Sequence, residues 1–74
     1  MKEYITLDAH KHYSLAAREL VKGGAKVHQR IEHHPGNIRD YLGDIEPGTI
    51  VAVEATGNWY WIIAEIEAAG GMIY

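Results

Sequence analysis

The order of hydrophobic patterns along the chain predicts an α/β class domain built on a mixed sheet. Three observations carry this: three short runs of strand character precede residue 33, two stretches of helical periodicity follow it, and between those two lies a β-branched run, Ile50-Val51-Ala52-Val53, of the kind buried in parallel sheets. With 74 residues the chain fits one small domain or part of a larger one.

The first element is Tyr4-Ile5-Thr6-Leu7-Asp8, alternating and β-branched, a short strand that closes on an acidic residue. Ala9-His10-Lys11-His12 reads as a turn. Residues 13–20 contain good helix formers in Leu15-Ala16-Ala17-Arg18-Glu19-Leu20, so propensity alone favours helix. The neighbouring segment reverses that preference. Lys22-Gly23-Gly24-Ala25 is a turn signal, and beyond it Val27 and Ile31 fall on one face of a strand with His28, Arg30 and Glu32 on the other. A half-exposed strand needs a partner, so residues 13–20 are expected to be strand in a three-strand antiparallel meander.

His34-Pro35-Gly36-Asn37 opens a predicted short helix over residues 35–44, because Pro35 is tolerated in a first turn and Ile38, Tyr41, Leu42 and Ile45 follow helical spacing. Pro47-Gly48 is a turn. Residues 49–53 are expected to form a central strand, buried on both faces and parallel to a neighbour, that ends at Glu54. Asn58 is a candidate N-cap for a second helix in which Trp59, Ile62, Ile63, Ile66 and Ala69 recur at helical spacing. Gly70-Gly71 stops it, and Met72-Ile73-Tyr74 reads as the start of a further buried strand. A strand only begun leaves a sheet edge open, so the chain is expected to be the first part of a domain.

Composition narrows the function. Cysteine is absent, which excludes disulfides, thiolate catalysis and cysteine-based zinc sites. No apolar run approaches the length that spans a bilayer, and no long apolar stretch follows Met1, so no membrane partner is expected and the default location is cytoplasmic. Formal net charge is −3, and no Lys or Arg follows Arg39. A self-sufficient DNA binder would carry a clustered basic face, which this chain lacks. For a chain this short, burial and ordering nearly cancel, so a staple or a partner surface is called for.

Two acidic residues each close a strand, Asp8 and Glu54. If those strands are parallel neighbours, both carboxylates emerge at one sheet edge, where they repel unless a cation such as Mg²⁺ lies between them. The plainer reading is that each is a solvated residue punctuating a strand.

The segments Thr6-Leu7-Asp8-Ala9-His10-Lys11 and Val51-Ala52-Val53-Glu54-Ala55-Thr56-Gly57-Asn58-Trp59-Tyr60-Trp61 resemble the N-terminal signature of the DEDD-type transposases of bacterial insertion sequences, relatives of the Piv and MooV invertases. The resemblance covers essentially the whole chain. It implies a RuvC-like, ribonuclease H-like catalytic domain in which one Glu and three Asp hold two divalent ions, Mg²⁺ or Mn²⁺, for DNA strand cleavage and transfer. Asp8 matches the first Asp and Glu54 the Glu; the other two Asp have no counterpart in these 74 residues. Residues 1–74 would then be the N-terminal portion of that domain, inactive alone. DNA, and in some family members a structured guide RNA, would be partners of the full-length parent. The family's C-terminal domain with a serine nucleophile maps onto no residue here.

Other residues have two readings each. Tyr60 and Trp61 lie off the apolar face of the second helix and, with Lys11, Thr56 and Asn58, are candidates for nucleic-acid contact. Trp59 shares the core face. The pairs His10, His12 and His33, His34 lack a third ligand at zinc spacing and are expected to be solvated turn residues. Lys11, Lys22, Lys26 and Arg30 on the hairpin could touch phosphate, though a solvated edge accounts for them. A rival to the transposase reading is a small regulatory module without catalysis, associating with itself or with a full-length transposase through its open sheet edge.

Overall fold

Alternation along the first strand decides which way the sheet faces. The computed structural model describes residues 3–20, 22–55, 57 and 59–73. Strand β1 (Glu3–Ala9) buries Ile5, Leu7 and Ala9 on one side and turns Thr6 and Asp8 to the other. It is followed by β2 (Tyr13–Leu20), β3 (Val27–Glu32), α1 (Asn37–Tyr41), β4 (Ile50–Glu54), α2 (Tyr60–Ala68) and β5 (Met72–Ile73). The five strands form one mixed sheet in the order β3-β2-β1-β4-β5. The β1–β2 and β2–β3 pairs are antiparallel, and β1–β4 and β4–β5 are parallel.

Tertiary pairing overrides helix propensity in residues 13–20. Strand β2 is held between β1 and β3 over nearly its whole length, so a segment of good helix formers is extended. Its alternation puts Ser14 and Ala16 in the core and Leu15 on the opposite face.

Among the described residues a single core lies between the sheet and the two helices. Ile5, Leu7, Ala16, Ile31 and Val51 from the sheet meet Ile38, Leu42 and Ile45 from the α1 region and Ile62 and Ile66 from α2. Burying an aliphatic side chain stabilises by about 1.5–3 kcal/mol, and this cluster is what holds α2 on the sheet. Trp59 packs against the cluster, as its spacing predicts.

The structure corrects the expected elements in four places. Helix α1 is five residues rather than the expected 35–44, because Gly36 at its N-cap takes a left-handed φ of 86° that a helix cannot include. Beyond Tyr41 the chain continues in tight turns, with Gly43 N–H donating to Asp40 O and Ile45 N–H to Leu42 O, so Leu42 and Ile45 are still buried. Strand β4 is covered on one face only. Val51 is buried, but Ile50 is exposed, since both helices pack on the same side. Strand β5 is likewise exposed at Met72 and Ile73, being an edge strand with two pairs to β4. The N-cap of α2 is Trp59, without a side-chain cap bond, and Asn58 lies outside the described residues, as do Thr56 and Tyr74.

At Gly71 two chain segments approach closely. A Cβ there would lie 2.9 Å from Ile66 Cγ2 and 3.3 Å from Val51 Cγ2, so only glycine lets β5 start directly beneath α2. Among the described residues no helix is long and apolar enough to cross a membrane.

Candidate functional site

Because β1 and β4 are parallel neighbours, one end of the sheet gathers the carboxyl ends of both strands. Asp8 and Glu54 are register partners there. Adjacent strands lie ~4.8 Å apart and partner residues point to the same face, so the two side chains rise side by side from the face that the helices leave open. Both are exposed, and the Asp8 side chain retains 57 % of its accessible surface. The juxtaposition expected from the sequence is present.

Hard carboxylate oxygens in general suit Mg²⁺, which is commonly bound through one or two carboxylates with water and substrate phosphate completing its shell. Among the described residues no three His, Asp or Glu side chains converge into a metal cage. The pair is an open platform of two carboxylates rather than a metal cage.

The antiparallel β1–β2 and β2–β3 pairs bring residues 10–12 and 33–36 to the same end of the sheet as Ala55, which follows β4. Lys11 is exposed on the first of them. Tyr60, at the start of α2, is 75 % exposed, and Trp61 is partly exposed but has its ring edge against His33. Thr56 and Asn58 lie outside the described residues. On the open face Asp8 borders a trough of about 420 Å³ lined by Thr6, Leu15, Ala17, His28 and Arg30. A second of the same volume lies beyond β4, between Val53, Ala55, Gly57, Trp59, Tyr60 and Ile63.

Two arrangements at this end escape sequence reasoning. The first corrects the expectation that His33 is a solvated turn residue. Its Nε2 lies 2.7 Å from Oγ of the fully buried Ser14, and its ring meets Trp61 and Trp59 edge to face at 4.9 and 5.9 Å. The sequence signal was weak, since 19 residues separate the two. Register was needed: Ser14 pairs with Ile31, two residues before His33.

The second is a stack of planar groups beside Asp8. The His10 ring lies on Tyr13 with centroids 4.8 Å apart and 19° between planes, and the Arg30 guanidinium covers Tyr13 at 3.8 Å. Arg30 also pairs with Glu32, which holds that carboxyl below the ordinary glutamate range and raises the guanidinium. His10 Nε2 stands 3.4 Å from Asp8 Oδ2. Arg30 is exposed on the edge strand, as expected, and is also engaged with Tyr13 and Glu32.

The most heavily paired cation lies away from this end and serves the fold. Arg18 donates to Glu3 at 2.6 and 3.2 Å and to Asp44 at 3.0 Å, with Tyr41 beneath it at 5.4 Å. These carboxylates raise the guanidinium well above its ordinary range, and Arg18 holds Asp44 below the usual aspartate range.

Comparison of the chain with protein-family models, with curated proteins and with solved structures gave no match to any of them.

Proposed function

We propose that the chain is the N-terminal portion of a ribonuclease H-like domain that performs metal-dependent DNA strand cleavage and transfer, of the kind the DEDD-type transposases carry. The observation that supports this reading most directly is the register pairing of Asp8 with Glu54 on adjacent parallel strands. The meander, the helix, the central parallel strand and the second helix that the reading calls for are the elements present.

A divalent ion at the pair would supply activation of an attacking hydroxyl and stabilisation of the leaving oxygen. The chain's own contribution is to hold two carboxylates one strand spacing apart on an accessible face. Lys11 in the turn after β1 and Tyr60 at the start of α2, on the helix side of the sheet, are the contacts offered for phosphate and base. Only two of the four acidic residues implied by the resemblance are matched, so the 74 residues alone are expected to cleave no DNA: a hydroxyl would lack much of its orientation and charge stabilisation.

The test is an NMR titration of the 74-residue protein with MgCl₂ and then MnCl₂. Weak, saturable perturbation centred on the Asp8 and Glu54 amides, absent from an Asp8→Asn, Glu54→Gln variant, is the expected result. Identical perturbations in that variant would sink the metal reading.

One set of observations favours a second reading, a self-associating module. Leu15, Ile50 and Met72 are exposed on the face opposite the core, and β5 is an edge strand. Sedimentation over a range of concentrations separates the two readings, since a protein that stays monomeric at every concentration counts against self-association.

A further inference from the structure

Charge is divided unevenly along the chain. No Lys or Arg follows Arg39, whereas no Asp or Glu lies between Glu19 and Glu32, a stretch that holds Lys22, Lys26, His28 and Arg30. Every residue from Lys22 to Arg30 is exposed. The fold makes a line of them: the turn between β2 and β3 carries Lys22 and Lys26, and β3, an outer strand of the sheet, continues from it. His28 and Arg30 pair with Ala17 and Leu15 and so stand on the open face, about 7 Å apart along the strand.

Arg30 is ordered before any partner arrives. Its guanidinium lies over the Tyr13 ring at 3.8 Å, and its Nε donates to Glu32 Oε2 at 2.5 Å. Both Nη groups are left without a hydrogen bond among the described residues. A guanidinium pinned in this way presents two parallel donors, which meet a phosphate with two bonds, and little side-chain entropy remains to be lost on binding. Glu32 offsets the charge of Arg30, so the excess positive charge of the line comes from Lys22 and Lys26, which form no ion pair among the described residues. Lysines on an outer strand also discourage strand pairing, but that role asks nothing of a pinned arginine. Apart from Val27 the stretch has no large apolar side chain, so it lacks the anchors around which protein interfaces are built. A row of phosphates needs none.

We infer that the outer edge of the β2–β3 hairpin is a track for one nucleic-acid backbone, with Arg30 meeting one phosphate through Nη1 and Nη2 and Lys26 and Lys22 meeting those that follow toward the turn. This track shares only its class of partner with the DNA reading above, and nothing in it depends on Asp8 or Glu54. Formal net charge is −3, so the molecule as a whole repels a polyanion and the contact is local, engaging about three phosphates.

Fluorescence anisotropy of a labelled oligothymidylate, single-stranded and as its duplex with oligoadenylate, tests this on the 74-residue protein at low salt. Binding in either arm is expected, with log K falling by about two to three for a tenfold rise in salt, and the tighter arm tells whether the track follows a free strand or a duplex. Lys22→Gln and Lys26→Gln should each weaken binding at least about threefold and reduce the salt slope by about 0.7–0.9. Arg30→Lys keeps the charge but loses the fork, so it should weaken binding with the slope unchanged. Arg39→Gln removes one charge from α1, away from the line, and should bind as the wild type does. Equal weakening by Arg39→Gln and Lys26→Gln would mean that net charge alone matters, and overturns the inference. Competition by poly-L-glutamate as effective, charge for charge, as unlabelled oligonucleotide also overturns it, since the partner is then an acidic protein. So does an absence of binding in both arms, a result that leaves the metal titration to decide the role of Asp8 and Glu54. All four substitutions are at exposed positions, and thermal melts show whether each variant is folded at the titration temperature.

Discussion

Asp8 and Glu54 stand opposite one another in the parallel β1–β4 ladder, two carboxylates on neighbouring strands with the same open face beneath them. Like charges placed directly across a ladder destabilise a sheet by ~0.2–1 kcal/mol. Glu54→Gln is therefore expected to raise the melting temperature without metal by up to about 4–8 °C, the shift that ~1 kcal/mol gives in a domain of this size. The gain should shrink in concentrated NaCl, which screens the pair. Added Mg²⁺ should stabilise the wild type but not the variant. A thermal melt in which Glu54→Gln is less stable than the wild type would show that the two carboxylates are not in conflict.

A second relationship compensates for a missing cap. Gly36 at the N-cap of α1 has no side chain to accept from the first-turn amides, and the Glu65 carboxylate of α2 takes that role, accepting from Gly36 N–H and Arg39 N–H at 3.0 Å each. A charged acceptor at a helix start also complements the partial positive charge there. Glu65→Ala should cost about 1–2 kcal/mol, in the range of losing a side-chain cap, and Glu65→Gln less, since an amide oxygen can keep one of the two bonds. Amide exchange at Arg39 reports it directly: protection should fall in Glu65→Ala, and unchanged protection would mean that the cap contributes nothing.

How much of this was legible depended on distance along the chain. Strand periodicity and the turn at Gly23-Gly24 were enough to place β1, β2 and β3, and the β-branched run at residues 50–53 was enough to place β4 beside a parallel partner. The Asp8–Glu54 juxtaposition depended further on β1 being that parallel neighbour, which the β1–β4 pairing supplies. What could not be read was whatever depends on which face the helices choose. Ile50 belongs to an apolar run that reads as doubly buried, yet it is exposed because α1 and α2 share one side. The same holds for Ser14 with His33 and for Tyr13 with Arg30, pairs joined across strands by register, which a single sequence leaves open.

Arg18 supplies the clearest pH dependence. Its side chain keeps only 13 % of its accessible surface while it bonds Glu3 and Asp44. The Asp44 carboxyl is depressed chiefly by its hydrogen bond from Arg18, so this contribution is present above the ordinary aspartate value and is lost as pH falls through the depressed one. Stability of the wild type should drop on acidification from about pH 4 downward, and Arg18→Met should flatten that drop. At neutral pH the same substitution should cost about 1–3 kcal/mol, because Glu3 loses its partner in a half-buried position. Melts of both proteins between neutral pH and strong acid check the sign; parallel pH profiles would show that the Asp44 bond does not contribute.

Ser14 and His33 offer a sharper test of the packing at the functional end. The Ser14 hydroxyl is fully buried and bonds His33 Nε2, while His33 Nδ1 is buried without a hydrogen-bond partner among the described residues. Removing one member of such a pair leaves the other unsatisfied, which costs ~1–3 kcal/mol, whereas replacing both by apolar groups of similar shape can be nearly neutral. Ser14→Ala and His33→Phe should each destabilise by that amount. The double variant should recover most of the loss, since Phe can keep the edge contacts with Trp59 and Trp61 and no polar atom is stranded. Urea melts followed by tryptophan fluorescence read both stability and the surroundings of the two indoles. Additive losses in the double variant would mean that the hydroxyl and the imidazole do not act as a pair.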